Sequence, residues 1–177
     1  MASFHTKTFT KNDDWMTPKK AWEDIKEYLP KYGDIWEPFY GDGQSGYALK
    51  DITGLDVNQH PDYNFYDGIP EEIDHMSETT IVSNPPFSDC KNIIPKLIEY
   101  GLPFILIMPS SKMNTQYFRN YFAKNKDQLQ IIIPRKRIQF LKMVDGVVLE
   151  KQENKCNFDC FYYCWKMDLP RDIVWLE

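Results

Sequence analysis

Residues 103–109, PFILIMP, and 129–134, LQIIIP, are apolar almost throughout and do not alternate. A strand with one wet face alternates polar and apolar residues, whereas a strand covered on both faces reads as a continuous apolar run. Two such strands demand layers on both sides of a sheet, and the rest of the chain supplies them. Strand-like and helix-like stretches take turns. A helix is predicted over 17–30 (TPKKAWEDIKEYLP), with Thr17 as N-cap, Pro18 in its first position and Trp22, Ile25 and Leu29 on one apolar face. Strands are predicted in 34–39 (DIWEPF), 52–57 (ITGLDV) and 79–83 (TTIVS). Helices are predicted over 90–101, stopping at Gly101 with Pro95 as a point of kinking, and over 114–125, with Asn114 as a cap. Residues 137–151 place Asp145-Gly146 between two β-like arms, a hairpin signal, and 156–167 (CNFDCFYYCWKM) read as the last strand. This order predicts an α/β fold whose sheet is mostly parallel and flanked by helices, with antiparallel strands at its end. The 177 residues contain no repeat, linker or low-complexity run, so one domain over 1–177 is expected.

Composition narrows the function classes. At 42% apolar the chain is globular, and its 15% aromatic content implies a heavy core or stacking surfaces. No apolar run is long enough to span a bilayer, and the opening MASFHTKTFTKNDD lacks the apolar core of a signal peptide. A cytosolic place is expected, in a bacterial cell or one hosting a phage or virus, with no membrane partner. The net charge of −5 argues against a nucleic-acid coat, but the charges are segregated. Asp51 to Thr80 holds eight acids and no Lys or Arg, while Ser110 to Lys142 holds eight basic residues and one acid, Asp127. Two solvated faces would explain this, as would a polyanion-binding side set apart from a side that prefers a cation. Cys156, Cys160 and Cys164 are four apart on a predicted strand, which spreads them along one face. Buried reduced thiols are expected of them and of Cys90, and no metal.

Ligands of open α/β sheets bind at the carboxyl ends of the strands. Chemically suggestive stretches fall at those ends. Gly41-x-Gly43-x-x-Gly46 lets backbone approach a ligand and start a helix tightly. Asp56, at the end of the next predicted strand, suits ribose hydroxyls. Both features fit any adenosine cofactor. Glu37, just before the loop, repels a pyrophosphate and suits an ammonium or sulfonium group. Asn84-Pro85-Pro86-Phe87 then closes the strand TTIVS with an amide, two rigid imides and a ring. An adenine amino group is a poor nucleophile because the ring shares its lone pair. Acceptors aimed at its two N–H bonds, the Asn84 side-chain oxygen and the Pro85 carbonyl, pull the nitrogen towards tetrahedral geometry. Pro86 helps fix that carbonyl, and Phe87 offers a π-face to a flipped base.

These motifs carry a resemblance. SNPPF resembles the catalytic motif of S-adenosylmethionine-dependent amino-methyltransferases, and WEPFYGDG their cofactor motif. DDWMTP, PRKRIQF, the hairpin and the closing aromatic strand are similar to phage-type DNA adenine-N6 methyltransferases. The resemblance spans nearly the whole chain and implies the Rossmann-like class I methyltransferase fold. It implies S-adenosylmethionine as cofactor, with Thr17 and Pro18 at its methionine end, Glu37, Phe39, Gly41 and Gly43 in its main loop, and Asp56 on the ribose. Asp67 is implied for the cofactor's adenine amino group, with Asp62 competing for that role. Asn84, Pro85, Pro86 and Phe87 are implied as the catalytic turn. Arg135, Lys136, Arg137 and Phe140 are the nucleic-acid candidates, Phe140 as a second aromatic wall or a core residue. The activity implied is methyl transfer to adenine N6 in DNA. The same chemistry on RNA or on a protein glutamine amide stays open, as does a catalytically silent nucleic-acid-binding subunit. With no room for a recognition domain, the hairpin and PRKR, a second copy or a partner subunit must supply target recognition.

Overall fold

The apolar runs form the centre of a sheet, and their side chains part to opposite faces. The computed structural model describes residues 13, 15–73, 78–124, 128–144, 147–149 and 158–177. In chain order these form β1 (Trp15–Met16), α1 (Lys19–Glu23), β2 (Asp34–Trp36), α2 (Gln44–Thr53), β3 (Val57–Asn58), β4 (Thr79–Ser83), α3 (Cys90–Tyr100), β5 (Phe104–Pro109), α4 (Gln116–Phe122), β6 (Leu129–Ile133), β7 (Leu141–Val144), β8 (Val147–Leu149), β9 (Cys160–Trp165) and β10 (Ile173–Trp175). Seven strands make the main sheet in the order β10-β6-β9-β5-β4-β2-β3. β9 runs antiparallel to both β5 and β6, and the other neighbours are parallel. This is the expected Rossmann-like α/β architecture.

Ile105 and Ile107 of β5 join Val82, Ile132 and Tyr162 in one core, beneath Trp22, Ile25, Ala48 and Leu49 from the α1–α2 side. Phe104, Leu106 and Met108 join Ile81, Ile131 and Tyr163 in the other, against Ile93, Ile94 and Leu97 of α3 and Phe118 and Phe122 of α4. Each large side chain buried in this way contributes about 1.5–3 kcal/mol. The polar interruption in LQIIIP has its own use. Gln130 is buried, takes the Leu169 N–H at 2.7 Å and donates to the carbonyls of Leu169 and Arg171, which holds the turn leading into β10.

Several local expectations change. The first helix is short. After Glu23 the backbone bonds include i→i−3 closures, Ile25 to Trp22 and Tyr28 to Ile25, yet Trp22, Ile25 and Leu29 keep their buried face. Thr17 does not cap it; Pro18 takes the N-cap position with no side-chain bond. Asn114 lies in a 3-10 turn and Thr115 takes the cap position of α4. α2 runs through Ile52 and Thr53 until Gly54 ends it at a φ of +72°, so the expected strand 52–57 shrinks to Val57–Asn58. α3 ends at Gly101 as expected, with Pro95 inside it.

The antiparallel arms of the C-terminal hairpin pair as predicted, Val144 opposite Val147, but outside the main sheet. They form a second sheet with β1, where Trp15 lies opposite Lys142. Asp145 and Gly146, the predicted turn, and Cys156 lie outside the described residues. β1 and the parallel edge strand β10 were not foreseen. Cys90, Cys160 and Cys164 are buried and not in disulfides, with Cys160 and Cys164 on one face of β9. Burial pushes the Cys90 thiol up to about 12. Among the described residues, no helix is long and apolar enough to cross a membrane.

Candidate active site

The chain leaves β2 towards β3 on one side and returns through β4 to β5 on the other. The order of the sheet therefore reverses between β2 and β4, and a crevice opens beyond the carboxyl ends of these two strands. Glu37 follows β2 and Asn84 follows β4, so the glycine loop and the Asn-Pro-Pro-Phe turn face each other there. They line one cleft. Thr17, Glu37, Phe39, Gly41, Asn84, Pro85, Pro86 and Phe87, predicted from separate stretches, all line it.

Three oxygen atoms of that lining are buried without a hydrogen-bond partner: Thr17 Oγ1, Glu37 Oε2 and Asn84 Oδ1. A buried polar atom left unpaired costs about 1–3 kcal/mol, so three in one cleft are acceptors that a ligand or a water can satisfy. Glu37 is 1% exposed. Its Oε1 accepts from the Ser83 hydroxyl and from the Phe39 N–H at 3.1 Å. Desolvation outweighs these bonds and the nearby Ser45 hydroxyl, and raises its carboxyl to about 8. A cation in the cleft would draw it to the charged form.

Asn84 donates through Nδ2 to the Trp15 carbonyl at 3.1 Å. A carbonyl accepts only, so this bond decides which end of the amide meets Trp15 and leaves Oδ1 as the end without a protein partner. The turn is held at both ends and in the middle. Ser83 is tied to Glu37, the Ser88 N–H and hydroxyl donate to Asp13, and Lys112 Nζ donates to the Phe87 carbonyl at 2.8 Å. The Pro86 carbonyl accepts the Asp89 N–H at 3.1 Å, which starts a 3-10 turn over Phe87–Asp89. Phe87 is buried, edge-on to Phe140 at 6.2 Å and to Phe158 at 5.4 Å. Phe140, weighed as a wall or a core residue, is 3% exposed and lies in the core against Phe87.

The glycine loop does what its spacing predicted for the helix start. Gly43 is the N-cap of α2 with a φ of +78°, and a Cβ there would stand 2.7 Å from the Tyr40 ring. Gly46 lies under the Gln59 amide, which a Cβ would meet at 2.2 Å.

Other candidates stand apart. Pro18 borders a neighbouring groove with Thr17 and Tyr47. Asp56 precedes β3 instead of ending it, because α2 uses up the residues expected to start that strand. It is exposed and ion-paired with Lys50 at 3.0 Å. Asn58 holds the carboxyl end of β3, its carbonyl accepting the Glu37 N–H at 2.9 Å. Asp67 is exposed in a 3-10 turn, bonded by Asn64 at 3.0 Å. Asp62, its competitor, lines a second cavity beside β3 with Trp36, Asn58 and Gln59. Arg135, Lys136 and Arg137 are exposed beyond the carboxyl end of β6, but Arg137 already holds Asp159 through Nε at 2.7 Å and Nη2 at 3.3 Å.

Asp13, Trp15 and Met16 of DDWMTP and Tyr40 and Asp42 of WEPFYGDG, quoted within motifs but given no role of their own, also line the cleft, as does Ser45; the supporting roles of Lys112 and Ser83 were not foreseen. The serines on either side of the motif, Ser83 and Ser88, were the readable signal. Among the described residues, no three His, Cys, Asp or Glu side chains cluster as a metal site.

No protein-family model and no curated protein matches the chain. Solved structures do. A Listeria monocytogenes protein assigned as a class I S-adenosylmethionine-dependent methyltransferase is 12% identical, with a TM-score of 0.49 over 96% of this chain and 67% of that one. Precorrin-6y C5,15-methyltransferase from Geobacter metallireducens is 13% identical, with a TM-score of 0.48 over 89% of this chain and 98% of that one. A tRNA (m1A58) methyltransferase from Aquifex aeolicus is 13% identical, with a TM-score of 0.41 over 89% and 72%. At these identities and scores the likenesses identify no substrate.

Proposed function

We propose that this chain transfers a methyl group from S-adenosylmethionine to the N6 amino group of adenine in DNA. The observation that carries the reading is the Asn84 side-chain oxygen. It is buried and unpartnered, in a side chain whose amide is oriented by the Trp15 carbonyl and which lines the same cleft as the buried Glu37 carboxyl with its own unpartnered oxygen. One site thus offers an acceptor for an amino N–H and a carboxyl suited to a cation.

The residues present fit the cofactor. Glu37 and Thr17 would take its charged and polar end, and Gly41 leaves room for backbone approach. When bound, S-adenosylmethionine supplies the methyl group from a sulfonium, and the sulfur keeps the electron pair of the broken bond. Asn84 Oδ1 and the Pro85 carbonyl accept the two amino hydrogens, localise the nitrogen lone pair and aim it. Methylation makes that nitrogen acidic, and it loses a proton to water, so no strong base is required of the site. Phe87 lines the cleft where the base would stack. The exposed Arg135 and Lys136 would take backbone phosphates.

The test offers cofactor with a labelled methyl group to DNA, RNA and protein side by side. Label on N6 of DNA adenine, lost in Asn84→Ala, is the expected result. Label on RNA or on glutamine instead, or none on any substrate, overturns the reading.

A further inference from the structure

We propose that Asp13 is a positioning residue for methyl transfer, holding the Asn84 acceptor on target through Ser88 and the Trp15 carbonyl. The inference rests on the function proposed above. Pro85 and Pro86 fix their own φ angles, but they fix neither the Asn84 side chain nor the place of the turn as a whole. The last torsion of an asparagine is soft, and a flip would present its NH2 group to the substrate amino group, donor against donor. The Trp15 carbonyl prevents this at 3.1 Å. Asn84 is therefore only as well placed as the backbone of Trp15.

Among the described residues, hydrogen bonds cross between the N-terminal segment and the catalytic turn at two places. Trp15 reaches Asn84, and Asp13 reaches Ser88, where its two carboxylate oxygens take the backbone N–H at 3.0 Å and the hydroxyl. Asp13 is 7% exposed, so these bonds are sheltered from water. Trp15 is steadied further by pairing with Lys142 and by its ring edge against Phe158 at 5.9 Å. Asp13 is the charged end of this clamp. Displacing a reacting group by about 1 Å costs on the order of a hundredfold in rate.

The experiment compares wild type, Asp13→Ala, Asp13→Asn and Asn84→Ala in single-turnover methylation, with Asp13→Ala/Asn84→Ala closing the cycle. Asp13→Ala should slow transfer by about 10- to 100-fold, with cofactor affinity within about threefold of wild type. Asn84→Ala should then cost less in the Asp13→Ala background by a similar factor. Asp13→Asn, which can still accept from the Ser88 N–H, should recover most of the rate. Solvent exchange of the Asn84 side-chain amide protons, read by NMR, needs no turnover. It should be slow in wild type, faster in Asp13→Ala and slow again in Asp13→Asn. Additive losses, or amide exchange unchanged by Asp13→Ala, overturn the inference. If wild type methylates no adenine, the functional reading has failed, and the exchange measurement alone decides whether Asp13 orients Asn84.

Discussion

The Ser83 hydroxyl donates to the Glu37 carboxyl across the gap between β4 and β2. Both side chains are buried, 0% and 1% exposed. The last residue of one strand is thereby tied to the first residue beyond its neighbour, at the point where the order of the sheet reverses. The glycine loop and the Asn-Pro-Pro-Phe turn are thus held to each other by side chains as well as by the ladder between their strands.

Glu37 makes stability depend on pH. Its carboxyl binds a proton more tightly in the fold, at about 8, than in the unfolded chain, near 4.5. Between those values the folded state holds more protons at this site, so the contribution of Glu37 to stability is fullest below pH 4.5 and is lost as pH rises to about 8. The loss is at most about 1.4 kcal/mol per pH unit. Urea unfolding at pH 5 and pH 8 should show Glu37→Gln losing less stability than wild type over this interval; parallel curves would count against the assignment. Glu37→Gln should also weaken cofactor binding by about 1.5–3 kcal/mol, the worth of a hydrogen bond to a charged group. Calorimetry in buffers of different ionisation enthalpy should show proton release on binding to wild type near pH 7.

Asn84 and Phe87 should fail in different ways. Asn84→Ala should cut the single-turnover rate by about 10²–10³, the scale for deleting one preorganised polar partner. Its stability cost should stay near 1 kcal/mol, the bond to Trp15. Phe87→Ala removes a ring packed on Phe140 and Phe158, so it should cost about 3–5 kcal/mol of stability before any loss of base stacking is counted. Chemical denaturation beside rapid-quench kinetics separates the two, and equal stability losses would sink this division of roles.

Asp56→Ala should leave cofactor affinity within about threefold of wild type. The Asp56 carboxyl is 80% exposed, and exposed ion pairs contribute at most about 1 kcal/mol. Gln59→Ala, at the carboxyl end of β3 and over Gly46, should have the larger effect. Titration calorimetry ranks them, and a tenfold loss in Asp56→Ala would restore Asp56 as a ribose ligand.

Arg135→Ala and Lys136→Ala should each flatten the salt dependence of DNA binding by about one unit on a log–log plot. Arg137→Ala should flatten it less, since Asp159 already offsets part of that charge. Fluorescence anisotropy over a range of salt concentrations reads the three slopes. Equal and unchanged slopes would mean that the segment is merely solvated.

What could be read from the sequence was what neighbouring residues settle among themselves. The unbroken apolar run of β5 requires cover on both faces wherever it lies in the sheet. Gly43 and Gly101 start and stop helices through their own backbone freedom, and two prolines after Ser83 end a strand in any context. Which acids reach the cleft was a different matter. Asp56 moved out of place because α2 runs on to Gly54, and Asp13 entered from the quoted stretch DDWMTP, in which only Thr17 and Pro18 had been given a role. β1 and β10, two and three residues long, carry too little periodicity to be read locally and exist through partners at Leu141–Lys142 and Ile131–Ile133. The bonds that set the site join residues 46, 69 and 75 positions apart: Ser83 with Glu37, Asn84 with Trp15, and Ser88 with Asp13. Caps and apolar spacing act over a turn or two of chain. The direction of the Asn84 oxygen depends on contacts that form only when distant segments pack, so tertiary structure alone decided it.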